Sequence, residues 1–199
     1  MRIHDLHLGF FKRPVSSAPV VTPPSNAPLQ IPVPVAHRPI VTPRPIVAPA
    51  PFGLTAPMLI AIGIDRARAA KWLGPLRSAM SSFQISTPAR AAAFVAQITH
   101  ESGRFVCVKE LWGPTPAQKR YDPSSPTSEQ LGNSATGDGL RFCGRGLIQI
   151  TGRANYAACG TALGLNLVGE PALLEQPKLA ALSAGWFWKS RSQRARRRW

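Results

Sequence analysis

"STPARAAAFVAQITHES", residues 86 to 102, carries the clearest helix signal in the chain. Ser86 or Thr87 can accept hydrogen bonds from the free N–H groups of a helix start, Pro88 suits the first helical position, and alanines favour the body. Gly103 is the natural stop. Within this helix Ala91, Phe94, Ile98 and Glu101 recur at spacings of three, four and three, so Glu101 projects from the apolar face. A carboxyl group pushed toward a core or cleft loses water, which suits it to donate a proton. The competing reading is a buried glutamate paired with an arginine such as Arg104 or Arg145.

The sequence continues "GRFVCVKELWG" (103–113) and brings a second acid, Glu110. Nine residues of unbroken helix would put the two carboxylates on opposite faces, roughly 13 Å apart. The break at Ser102 and Gly103 instead lets the chain fold back, so that Glu110 can face Glu101 across a groove. Two carboxyl groups about 6.5 to 9.5 Å apart are what inverting glycoside cleavage requires, one protonating the leaving oxygen and the other activating a water. A third stretch, "FCGRGLIQITGRANY" (142–156), sets Gln149, Thr151 and Asn155 among glycines and apolar Ile148 and Ile150. Uncharged amides and hydroxyls match sugar hydroxyl and N-acetyl groups, and they serve equally to cap loops and helices.

Around these stretches the chain divides by composition. Of its 21 prolines, twelve lie between residues 14 and 51. Each fixes φ and removes a backbone donor, so residues 1–52 are expected to be a disordered Pro-rich leader or linker. The recurring "RPIV" at 38–41 and 44–47 reads as a slipped short repeat. From Leu54 onward the pattern becomes helical. "DRARAAKWLGPLRSAMSSFQI" (65–85) spaces Trp72, Leu76, Met80 and Phe83 by three and four, a helix interrupted or restarted at Pro75. Further helices are expected near 154–163 and 177–189. The Gly-, Pro- and Ser-rich region 104–150 reads as loop, with "LIQI" as a short strand.

The formal charge of +15 is unevenly spread. Residues 1–52 carry five basic and one acidic side chain, 53–188 thirteen and eight, and 189–199 six and none. Such a chain can approach nucleic acid, anionic lipid or a carboxylate-rich wall. No nucleic-acid module is present, so no specific nucleic-acid partner is expected. A polybasic binder would show salt-dependent retention on DNA that disappears without residues 189–199. Cys107, Cys143 and Cys159 match no zinc or redox spacing and read as small apolar residues or free thiols. The apolar run near the N-terminus is short and interrupted by Asp5, His7 and Lys12, unlike a secretory signal. No apolar run reaches the length of a membrane span.

"AAFVAQITHESGRF", "VKELWG" and "GRGLIQITGRANY", in that order, resemble the catalytic domain of family 19 glycoside hydrolases, the group of plant-type chitinases and phage or bacterial endolysins. The likeness covers about residues 54–188, and the short interval between the two acids is closer to the compact endolysin branch. It implies a mainly α, lysozyme-like two-lobed domain with little β structure, over residues 53–188. It implies Glu101 as general acid and Glu110 as general base, with Gln149, Thr151, Asn155 and Tyr156 binding substrate. Thr151 would help hold the attacking water, Tyr156 would lie at or under the cleft wall, and His100 would be structural. The implied partner is a β-1,4-linked polymer containing N-acetylglucosamine, chitin or peptidoglycan. The protein would be a monomer with no metal and no organic cofactor. With no clear signal peptide in the sequence, localisation and export route stay open: a stay in the cytoplasm until release, or export by a non-classical route, to act on a cell wall or extracellular polymer.

Past "AGWFWKSR" the family pattern continues for some tens of residues, including an Asn-Gly segment lining the cleft, whereas this chain has "SQRARRRW". One choice of codons for that tail reads Asn-Ala-Leu-Ala-Asp-Ala in a shifted frame, which resembles the usual continuation. Residues 189–199 are therefore expected to be a basic tail, out of frame through a frameshift near 190–193. Trp186, Phe187 and Trp188 would then lack their usual cover, at about 2 to 3 kcal/mol each, and hydrolysis would be weak or absent. The alternative function is a non-catalytic remnant that binds wall or chitin without cleaving it.

Overall fold

The computed structural model describes residues 53–196, with side chains through residue 191. The Pro-rich leader lies outside the described residues. The described chain is helical: α1 (Ala56–Ala61), α2 (Arg66–Ser82), α3 (Pro88–Glu101), α4 (Pro116–Lys119), α5 (Pro126–Leu131), α6 (Asp138–Arg141), α7 (Arg153–Leu163), a 3-10 turn (Pro171–Glu175) and α8 (Pro177–Arg196). No strand occurs among the described residues; "LIQI" contributes only an isolated bridge between Arg145 and Ile150, beside another between Lys109 and Arg145. None of these helices is long and apolar enough to cross a membrane.

Local chemistry sets the helix ends. Thr87, rather than Ser86, caps α3, its hydroxyl accepting from Arg90 N at 3.3 Å. Asp65 caps α2 by accepting from Arg68 N at 2.9 Å. α2 runs unbroken through Pro75, although the ring removes one backbone donor and strains the preceding turn at a cost of about 3 kcal/mol. Burial outweighs that cost. Ala69, Trp72, Leu76, Ala79 and Met80 on one side of α2 are all in the core.

α2 lies along α8, and the side chains of α8 explain how closely. Ala180, Ala181, Ser183, Ala184 and Gly185 give α8 a buried face of small residues. A methyl group at Gly185 would strike the ring of Phe83 at the end of α2. The same face receives Gly146 from the segment between α6 and α7, where an added Cβ would come within 2.8 Å of Ser183 Oγ. Trp186, Phe187 and Trp188, expected to be left uncovered, instead pack on this chain's own core. Phe187 is 8% exposed, and Trp188 meets Phe94 of α3 edge to face at 5.8 Å. The anticipated loss of their burial energy therefore does not occur.

Region 104–150 is loop as expected, but three short helices punctuate it and buried polar side chains hold it together. Asp122 Oδ1 accepts from the N–H groups of Gly137 and Gly139 at 3.1 and 2.9 Å. Asn133 links Tyr121 O at 2.8 Å to the first residue of α7 through Arg153 N at 2.8 Å. Asp138 accepts from Ser134 N, Ala135 N and the Arg153 guanidinium, and its side chain is only 3% exposed. Hydrogen bonding to Arg153 is the largest cause of a lowered Asp138 pKa, about 2.

Two measurements test this arrangement. Leu76→Ala, at a fully buried position of α2, is expected to cost about 2 to 5 kcal/mol and to lower the thermal midpoint by roughly 5 to 15 °C. The depressed Asp138 value means that its contribution, about 2 kcal/mol, is present above pH 4 and is lost as pH falls toward 2. Urea midpoints at pH 7 and at successively lower pH should therefore converge for the native chain and Asp138→Asn. Curves that stay parallel across that window would contradict the ion pair.

Candidate active site

The turn after α3 decides where the second acid goes. Ser102 closes the helix, its hydroxyl donating to Ile98 O at 2.6 Å and accepting from Phe105 N at 2.9 Å. Gly103, Arg104 and Phe105 all have φ between 56 and 64°, the left-handed region, so the chain reverses sharply. Burial of Phe105 against Trp72 of α2, ring centroids 5.9 Å apart, offsets the strain of two non-glycine residues there. Arg68 adds a hydrogen bond to Arg104 O at 2.9 Å.

Beyond the reversal, residues 108–110 run beside 144–146. Gly146 N donates to Val108 O at 2.9 Å and Glu110 N to Gly144 O at 2.8 Å. Gly144 N in turn donates to Glu110 Oε2 at 2.9 Å, so backbone and carboxylate of Glu110 grip the same residue. Glu110 Oε1 accepts from Gln118 Nε2 at 2.9 Å. Gln118 is buried on α4 and was not anticipated; its Thr-x-x-Gln context signals a helix cap in sequence, which is also present, but not contact with an acid eight residues back.

Gln149 and Thr151 close on the same spot. A Cβ on Gly144 would lie 2.6 Å from Gln149 Oε1 and 3.3 Å from Thr151 Oγ1, so glycine alone leaves room for this approach. Gln149 has φ 55° and donates to Gly146 O at 3.1 Å. Thr151 Oγ1 donates to Gln149 O at 2.9 Å, and Asn155 Nδ2 to Thr151 O at 2.7 Å. Asn155 Oδ1 is buried and accepts no hydrogen bond from the described residues. Glu110 bonded to Gly144 N, the Gln149 and Thr151 side chains packed beside Gly144, and Asn155 bonded to Thr151 O thus form one network of bonds and contacts around this glycine.

Three residues stand apart from it. Glu101, the last residue of α3, is 9% exposed, and no hydrogen bond or ion pair engages its carboxyl group among the described residues. Neither candidate arginine takes it: Arg145 is committed to Glu175 at 2.8 Å and to Tyr156 Oη at 3.0 Å. Tyr156 is a correction to the expected substrate-binding set. It is 0% exposed, and its hydroxyl donates to Cys143 O at 2.7 Å while accepting from Arg145, so it braces the 142–146 segment from within the core. Burial raises its pKa. His100 is exposed on the last turn of α3.

Aromatic groups flank Glu110 on the other side. Trp112 and Tyr121, both half-buried, have ring centroids 6.2 Å apart at 51°. Tyr121 is pushed up to about 12, first by burial and then by the charge of Glu110. Cys143 is raised by burial, with a smaller contribution from Glu110. Leu111, between the acid and the tryptophan, is 87% exposed.

Comparison with known proteins places this architecture. Residues 79–197 match the family model described as chitinase class I. An Arabidopsis thaliana endochitinase is 39% identical over 98 residues, covering 49% of this chain and 34% of that protein. A Haemophilus influenzae glycosyl hydrolase family 19 domain-containing protein is 34% identical over 121 residues, 49% of this chain and 60% of that one. The crystal structure of chitinase C from Streptomyces griseus aligns with a TM-score of 0.47 at 30% identity, over 59% of this chain and 57% of that one. The chain spans about a third to three-fifths of the length of these curated relatives. The matched segment contains Glu101, Glu110 and the whole network around Gly144, and by that match the chain belongs to glycoside hydrolase family 19, the class I chitinases.

Proposed function

We propose that this chain hydrolyses β-1,4 linkages in polymers of N-acetylglucosamine with inversion, Glu101 acting as acid and Glu110 as base. The observation that carries this reading is the setting of Glu110. Two N–H donors from different segments, Gly144 N and Gln118 Nε2, are directed at its two carboxylate oxygens. Such donors suit an acceptor that must orient a water. Glu101 offers the complement, a mostly buried carboxyl group on a rigid helix end, free of any arginine.

In the proposed step Glu101 gives its proton to the glycosidic oxygen as the bond to the anomeric carbon breaks. Glu110 takes a proton from the water that attacks that carbon from the opposite face. The anomeric carbon inverts, the two parts of the glycan chain separate, and exchange with solvent reprotonates Glu101 and deprotonates Glu110. Gln149, Thr151 and Asn155 would bind the sugar next to the base. Trp112 and Tyr121 would offer aromatic faces to a neighbouring ring. Chitin is the first substrate to test, because the named plant relative is an endochitinase. Peptidoglycan presents the same linkage with an added lactyl-peptide group.

Release of reducing ends from both polymers, measured beside binding to each, tests the reading. Because Trp186, Phe187 and Trp188 are packed on the core, cleavage of soluble chito-oligosaccharides is expected in place of the weak or absent hydrolysis that their exposure would imply, with the α-anomer as first product, and binding without new reducing ends would favour a non-catalytic module. Glu101→Gln and Glu110→Gln are each expected to lower kcat by about 10²- to 10⁴-fold while substrate is still bound. Retention of more than a tenth of the activity by either would remove that residue from its role. Gly144→Ala, which forces Gln149 and Thr151 outward, is expected to cost roughly 1 to 3 kcal/mol of stability and to weaken substrate binding. Unchanged KM in that variant would separate the two side chains from the sugar.

A further inference from the structure

We infer that Gln118 is a positioning residue that fixes the Glu110 carboxylate, an inference that rests on reading Glu110 as the base. Gln118 is 1% exposed, and its amide is fully used. The oxygen accepts from Gly113 N at 3.3 Å and Thr115 N at 2.8 Å. The nitrogen donates to Leu111 O at 2.8 Å and Glu110 Oε1 at 2.9 Å.

This pattern has one orientation. Turning the amide over would aim its NH₂ at two backbone N–H groups and its oxygen at a carbonyl and a carboxylate, losing all four bonds. The nitrogen is therefore held toward Glu110, and Glu110 must present an oxygen lone pair to it. Gly144 N fixes the second oxygen from the far side. Gln118 Nε2 and Gly144 N thus hold the two carboxylate oxygens from different segments.

Why an amide stands at this position follows from the chemistry of a base. An arginine or lysine would also hold a carboxylate, but its charge would oppose the uptake of a proton. Gln118 orients without neutralising. The cation next in sequence, Lys109, is drawn to Glu175 at 3.5 Å, as is Arg145 at 2.8 Å. Two titratable groups near Glu110, Tyr121 and Cys143, are shifted toward their neutral forms, first by burial and in smaller part by the Glu110 charge.

Gln118 is also part of the fold, since α4 begins with a reciprocal cap between it and Thr115. The informative substitution is therefore Gln118→Glu, which keeps an oxygen for Gly113 and Thr115 but turns a carboxylate toward Glu110. On a soluble chito-oligosaccharide its kcat is expected to fall about 100-fold with KM within about threefold of the native chain. An independent reading comes from the Gln118 side-chain NH₂ in nitrogen–proton NMR spectra of the native chain. Those protons should resist solvent exchange and should move on Glu110→Gln more than other side-chain amides do. If the native chain cleaves nothing, the hydrolase reading fails and the amide signal still decides the contact; the same signal decides if Gln118→Glu does not fold. A folded, active Gln118→Glu with unchanged kcat, or a Gln118 amide indifferent to Glu110→Gln, would overturn the inference.

Discussion

The pairing of residues 108–110 with 144–146 is the constraint on which the rest depends. Two backbone hydrogen bonds and one from Gly144 N to the Glu110 carboxylate join segments 34 residues apart. Closing a loop of that length costs on the order of 3 kcal/mol before any contact is made. Short-range polar structure inside the loop offsets it: Asp122, Asn133 and Asp138 each tie backbone N–H or carbonyl groups across the segment. The pairing also fixes side-chain directions. It puts the carboxylate of Glu110 over Gly144, where Gln149 and Thr151 already crowd.

The two acidic residues are carried by different kinds of structure. Glu101 ends a 14-residue helix whose inner face, Ala91, Phe94, Val95 and Ile98, is sunk in the core. Glu110 sits on irregular backbone and is steadied by hydrogen bonds from two other segments. The small-residue face of α8 supports both arrangements, seating α2 on one side and Gly146 on the other. Helix packing remote from Glu110 thereby bears on the segment that carries it. Of the two acidic residues, one stands on a rigid helix end and the other is held by contacts assembled from distant segments.

Much of this was legible in the sequence because it is local. Proline and threonine at 87–88 with the apolar period that follows specify α3, and the period of α7 and α8 is equally plain. Pro75 misled because one missing hydrogen bond is a local signal, whereas the buried stripe of α2 is a tertiary one that outweighs it. The packing of Trp186 to Trp188 was misjudged for the same reason: their cover comes from α3 and the core, which no neighbouring residue announces. Gln149, Thr151 and Asn155 lie together near Gly144, whereas Tyr156 from the same motif is buried. Alternation along a motif does not reveal which side faces a ligand when the backbone turns at Gly146, Gln149 and Gly152. Gln118 was illegible altogether, since a capping glutamine looks the same whether or not a carboxylate waits beside it.

The most direct measurement is a crystal structure of Glu101→Gln holding a chito-oligosaccharide. The side-chain carboxamide at 101 and the carboxylate of Glu110 should stand about 6.5 to 9.5 Å apart, on opposite sides of one glycosidic bond. Residue 101 and Glu110 turned toward separate solvent regions, with no saccharide between them, would contradict a shared catalytic site.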